Sequence, residues 1–241
     1  MNVYPLNMIA GAAVFSGSVL SYSSIKNTIH PYLKHKAYFN VGKPFSVNIL
    51  FSPSVKIDTF IIGRFNAGRI SGSMSTDAGP AVLSFERKEA IQIYDAGSDV
   101  LVDSITLTAM EDVPADEIPY IEYLFAGNKV ELPLFAVSPE WETQIRGESN
   151  RTNNGQVYGT VLPTLDRLST KYLRISSEDK RIVDNYVQSV QTNIPHVVDL
   201  YHEAHDSFPP RYATLNRGIS AIKRNEDGFF WDYDMEWLEA R

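Results

Sequence analysis

Cysteine is absent from the 241 residues. That removes disulfide frameworks, thiolate metal sites and cysteine nucleophiles together, so stability rests on burial and hydrogen bonding alone. A basic excess is missing as well: 22 Lys and Arg stand against 29 Asp and Glu, a formal net charge of −7. No concentrated positive face for phosphates is expected, and nucleic acid is a poor partner. No apolar run is long enough for a transmembrane helix, so no membrane insertion is expected. Residues 8–20 (MIAGAAVFSGSVL) are the one candidate for a signal-peptide core, but residues 1–7 carry no Lys or Arg and Ser and Gly interrupt the run. A buried first strand or a docking arm fits better. Phosphate-cradling and dinucleotide glycine patterns are missing, and Gly72-Ser73-Met74-Ser75 lacks the order of a nucleophile elbow.

What is present is ordinary globular material, 44% hydrophobic and 12% aromatic, enough for one or two domains with a sizeable core. Residues 56–68 (KIDTFIIGRFNAG) are the most informative stretch. On an extended chain Ile57, Thr59, Ile61 and Gly63 point one way and Asp58, Phe60, Ile62 and Arg64 the other. Both sides are largely apolar, which predicts a strand covered on both faces. It runs into Asn66-Ala67-Gly68, a turn at a rim. Further strands are expected at 47–51, 81–85, 90–94, 104–109 and 120–125, at the spacing of a β-sandwich. Residues 68–80 (GRISGSMSTDAGP) read as a small-residue rim loop, with 95–100 as a second.

Residues 136–155 read as a connector, polar from 146 onward, so the expected domains are 1–135 and 156–241. Residues 156–176 carry apolar positions broken by Pro163. The clearest helix follows: Ser176 or Ser177 caps it, Glu178 and Asp179 sit at the positive end of its dipole, and Ile182, Val183, Tyr186, Val187 and Val190 form one face. Pro195 ends it. The last segment alternates, with Phe229, Trp231, Tyr233, Met235 and Trp237 on one side and acids in the middle of the other, and residues 225–228 make a hairpin turn before it. The fold class expected is therefore mainly β with one α/β part: an N-terminal β-sandwich, then an α+β domain with one main helix.

Catalytic chemistry is hard to find. His202-Glu203-Ala204-His205 lacks the gap of a zinc-binding H-E-x-x-H, and on a strand its rings face apart. Asp232, Asp234 and Glu236, equally spaced on one strand, diverge rather than converge on a cation. No carboxylate pair can be selected as a glycosidase acid and nucleophile. No catalytic residue, cofactor or metal is assigned, and the chain is not read as an enzyme. Trp141, in the connector, reads as an interface anchor rather than a ligand platform.

Two sets of residues carry a resemblance to known families. In the first half these are an aromatic strand, the Gly42-Lys43-Pro44 turn, a second strand, and a third ending in Phe65-Asn66-Ala67-Gly68. They resemble the galactose-binding-like (discoidin-type) jelly roll of some phage tail proteins. In the second half Gly127, Leu132 and Pro133 end the sandwich, residues 146–155 form an Arg-containing linker, residues 176–190 a Ser-capped helix, and Pro209, Pro210 and Tyr212 open a strand pair. This layout resembles that of distal or minor tail proteins of long-tailed phages, although in many of those the ring-forming domain precedes the sandwich. The resemblance implies a split-barrel-like, tail-tube-like second domain and a virion location in the phage tail. It implies a homo-oligomeric ring, six copies being one option, that joins the tail tube to hub or fibre proteins. Trp141, Trp231, Tyr233 and Trp237, together with residues 1–22, are the expected interface candidates. The alternative is a carbohydrate-binding, host-surface adhesion module contacting a glycan through the rim residues Asn66, Arg69 and Asp77. Jelly rolls of this type sometimes hold a structural calcium, for which Asp58, Asp77 and Asp95 are the available acids.

Overall fold

The structure, a computed structural model, describes residues 1–21, 23–29, 36–88, 90–109, 113–136, 139–151, 157–190, 194–201, 209–225 and 228–239. In chain order the strands are β1 (Asn2–Tyr4), β2 (Val14–Gly17), β3 (Ala37–Tyr38), β4 (Phe45–Ile62), β5 (Arg69–Thr76), β6 (Gly79–Glu86), β7 (Gln92–Ala109), β8 (Tyr120–Ile121), β9 (Leu124–Gly127), β10 (Val130–Glu131), β11 (Glu140–Arg151), β12 (Val157–Ile175), β13 (His196–Asp199), β14 (Arg211–Asn225) and β15 (Gly228–Glu239). The helix α1 spans Ser177–Val190, and 3-10 turns occupy Met8–Gly11 and Ile25–Ile29. The protein is mainly β with one helix among the described residues, the fold class its patterning indicates. Two compact units divide the chain: residues 1–131 with 195–212, and residues 132–194 with 213–241. Segment 195–212 thus groups with residues 1–131.

The first unit is built on a sheet of order β2-β4-β7-β5-β6, with β9 also paired to β4. Strand β4 is long enough to hold β2 and β9 end to end along one edge, through Val14↔Leu50 and Thr59↔Gly127, while β7 runs along the other. Its first half alternates: Phe45, Val47, Ile49 and Phe51 are buried, Asn48 and Leu50 exposed. From Ile57 to Ile62 every residue is buried, as two apolar faces require. The core gathers Ile49, Phe60, Ile70, Met74, Leu83, Ile105 and Leu107 from the sheet, and Ile9, Ile25, Phe39 and Ile121 from the segments that cover it. Phe39 stacks on Phe45 at 3.9 Å between centroids. Each such side chain contributes roughly 1.5–3 kcal/mol by leaving water.

Three expectations are corrected in this unit. Residues 69–76 form strand β5, not a loop. Ile70 and Met74 are buried on its inward face with Gly72 between them, and Ser73 and Ser75 are exposed on the other. Residues 95–100 lie within β7: Ile57 pairs with Val100 and Thr59 with Asp95, so residues 96–99 bulge out opposite Asp58 alone. Gly97 takes the positive φ this bulge needs, at 77°, and its N–H donates to Asp95 Oδ1 at 2.7 Å. Residues 1–21 are no loose arm. Strand β1 pairs with both β10 and β13, and Val3, Tyr4 and Ile9 are buried.

The second unit is a sheet of order β14-β15-β12-β11 with α1 packed on it. Ser176 caps the helix: its Oγ accepts the Asp179 N–H at 3.1 Å and donates to Asp179 Oδ2 at 2.9 Å, a reciprocal box. Val183, Tyr186 and Val190 form its buried face. The terminal alternation of β15 buries Tyr233, Met235 and Trp237, and Asn225 pairs with Gly228 at the expected hairpin. The connector expectation is corrected here. Residues 140–151 form β11, paired with β12 from Glu140↔Ser169 to Arg151↔Val157. Its polar sequence shows no amphipathic period, and its backbone pairs with β12 along its length. Pro163, read as a break, sits in continuous β12 where the register shifts between Gln144 and Arg146, a place that tolerates a missing N–H.

Candidate functional site

Two regions hold the residues singled out from the sequence. In the second unit, Trp237 is fully buried and its Nε1–H donates to Tyr186 Oη at 2.7 Å. Tyr233 is also buried and donates its hydroxyl to Asp184, which Lys180 pairs from one helical turn away. Burial alone would raise the Asp184 carboxyl, but the hydrogen bonds from Lys180 and Tyr233 outweigh it and hold the group below its ordinary value. These two aromatics therefore serve the core of their own unit, which corrects their place among the interface candidates. Trp231 is half-buried, with Lys180 Nζ 4.4 Å from its ring centroid. Trp141 is half-buried in β11 opposite Leu168 rather than in an irregular connector. Strand β11 is the edge of its sheet: among the described residues it pairs with β12 and no other strand.

In the first unit, one of the three expected rim contacts is buried, Asn66, while Arg69 and Asp77 are exposed. Asn66 is buried; its Oδ1 accepts the Tyr120 N–H at 2.8 Å and its Nδ2 donates to Ile118 O at 3.1 Å. Asp77 ties the β5–β6 turn to β7, accepting the Leu101 N–H at 3.2 Å. Arg69 is exposed on β5 and its Nε and Nη2 donate to Ser84 Oγ at 3.2 and 2.9 Å. Buried Asp58 accepts from Thr59 Oγ1 at 2.6 Å and from the Lys129 N–H at 3.0 Å, while its own N–H donates to Asn128 Oδ1 at 3.0 Å. Asp95 pairs with Lys129 Nζ at 2.8 Å. Asp58 and Asp95 thus share Lys129, through its N–H and its Nζ, while Asp77 is engaged with Leu101. The residues 202–205 lie outside the described residues.

Where β4 and β6 end, the chain brings together residues that sequence reading left apart. Glu122 is buried between Lys36 Nζ and Arg64 Nε, each at 2.9 Å. Lys36 Nζ also lies 3.9 Å from the Tyr120 ring centroid. Arg64, Phe65, Arg87, Lys88 and Tyr120 line a pocket of about 340 Å³. In the sequence these residues appear only as a charged run, Glu86-Arg87-Lys88-Glu89, and as an arginine at the end of an apolar strand. Nothing local indicated that they meet.

No family model matches the chain, and no curated protein matches it. Among solved structures, one similar chain is CBM32-1 from a family 31 glycoside hydrolase from Clostridium perfringens. Identity is 8%, the match covers 48% of this chain and 95% of that one, and the TM-score is 0.36. At that score the likeness carries no argument about what this chain binds.

Proposed function

We propose that the chain is a structural subunit of a phage tail, a distal-tail or baseplate ring component that holds tube, hub or fibre proteins and converts no substrate. The observation that supports it best is strand β11. Its edge runs through Glu140–Arg151 with one partner strand among the described residues, and it carries acids and arginines along its length. A long edge of this kind is a hazard for a monomer and a ready joint for a neighbour. Charges of both signs set the register of such a joint, and a head-to-tail contact that closes makes a ring. The tail assignment itself rests on the ordered layout of the two halves described under Sequence analysis.

The test is the mass of the native assembly. Analytical ultracentrifugation and native mass spectrometry of the purified chain should show a closed homo-oligomer, or a complex once tail proteins are added. A chain that remains monomeric at micromolar concentration, and ignores tail proteins, would overturn the reading.

A further inference from the structure

The pocket at the ends of β4 and β6 is the feature least explained by an assembly role. Three segments distant in sequence converge there: residues 64–65 after β4, residues 87–88 after β6, and Tyr120 opening β8. Three of the five lining residues are cations, on a chain whose formal net charge is −7. Two carboxylates nearby, Glu122 and Glu117, are already engaged, while Glu86 is exposed before Arg87. Glu122 holds Lys36 and Arg64, and Glu117 Oε2 accepts from Asn66 Nδ2 at 3.4 Å. Arg64 is engaged through Nε, which steadies its guanidinium at the pocket wall. Arg87 and Lys88 are exposed, and among the described residues their side chains make no ion pair or hydrogen bond. The backbone that carries them is anchored, since the Arg87 N–H donates to Gly68 O at 2.9 Å. Phe65 is buried beneath and presents no competing polar group.

We propose that this pocket binds an oxyanion: a carboxylate or phosphate group borne by a small acidic molecule or by one unit of an acidic surface polymer. Arg87 and Lys88 offer their charge to an oxyanion directly, beside an Arg64 that Glu122 holds in place. Guanidinium forks match carboxylate and phosphate alike, which is why the shared chemistry is the oxyanion. The volume is at the low end of ligand sites, about 300–1,000 Å³, so one charged group with a ring-sized body fits and a folded partner does not. This inference is independent of the assembly reading, which concerns β11 in the other unit.

The experiment is calorimetric titration of the full chain with sodium glucuronate, with sodium phosphate, with glucose, and with sodium chloride at matched ionic strength. Saturable binding is expected for at least one of the two oxyanions and for neither control. Glucuronate alone marks a carboxylate site, and phosphate alone a phosphate site. The double variant Arg87→Ala/Lys88→Ala should weaken binding about tenfold or more, the scale of losing charge-assisted hydrogen bonds. Its ligand-free melting temperature should be unchanged, because neither side chain holds the fold. No saturable binding, the same response to chloride, or affinity unaltered in the double variant would overturn the proposal.

Discussion

Replacing Gly72 by Ala tests the packing of the first unit most sharply. Gly72 lies on the inward face of β5, between Ile70 and Met74, and pairs with Leu83 on β6 and Leu107 on β7. All four neighbours are buried. A Cβ built on Gly72 would press into the Thr106 carbonyl oxygen, closer than real Cβ atoms approach, and would stand 3.0 Å from Leu107 Cδ2. The principal obstacle is backbone in a strand hydrogen-bonded on both sides, so it cannot swing aside as a side-chain end would. Overpacking costs about 1–3 kcal/mol, and a rigid obstacle puts this site in the upper half of that range. The stiffer unfolded chain returns about 0.4–1 kcal/mol, leaving a net loss of roughly 2 kcal/mol. With a urea dependence of about 1–3 kcal/mol/M, the unfolding midpoint should fall by about 1 M. Gly11→Ala is the matched control, because nothing lies within 4 Å of its added Cβ. It should leave stability unchanged or raise it by up to about 1 kcal/mol. Circular dichroism gives the midpoints, and hydrogen exchange should place the loss of protection in β5, β6 and β7. Equal midpoints for Gly72→Ala and Gly11→Ala would refute the crowding argument.

Asp58→Ala should destabilise by about 2–4 kcal/mol, because it leaves the Thr59 hydroxyl and the Lys129 N–H without their buried charged acceptor; denaturant titration reads this, and a loss below about 0.5 kcal/mol would mean that water replaces the carboxylate freely. Burial pushes the Tyr172 hydroxyl up to about 12, above its unfolded value of 10.0, with a hydrogen bond to Thr170 working against the shift. Folding thus favours the protonated phenol: its contribution is complete below pH 10 and is lost as pH rises towards 12. Tyr123 and Tyr186 are shifted upward by burial too, so ultraviolet titration should show a group of tyrosines that ionise only as the fold opens. Ionisation of all thirteen tyrosines near pH 10, with the fold intact, would contradict their burial.

Helix α1 and strand β15 were readable from sequence because their signals are local. A Ser cap, two acids in the first turn and a face at helical spacing lie within residues 176–190. The alternation from Trp231 to Trp237 likewise needs no distant partner to be seen. The doubly covered half of β4 was readable for the same reason, since apolar residues on both parities allow no solvated face. Strand β11 was not, because its sequence has no apolar period and its pairing with β12 lies elsewhere in the chain. Strand β5 was masked by its serines and Gly72, which look like a loop although Ser73 and Ser75 form the exposed face of a strand paired on both sides. Asn66, polar and beside a turn, looked outward from sequence; the backbone acceptor and donor that bury it as a clamp come from residues 118 and 120. The cationic pocket lay furthest from view. Patterning along a chain records which side of its own strand a residue occupies, whereas Arg64, Arg87, Lys88 and Tyr120 become neighbours only when three strand ends are brought to one rim.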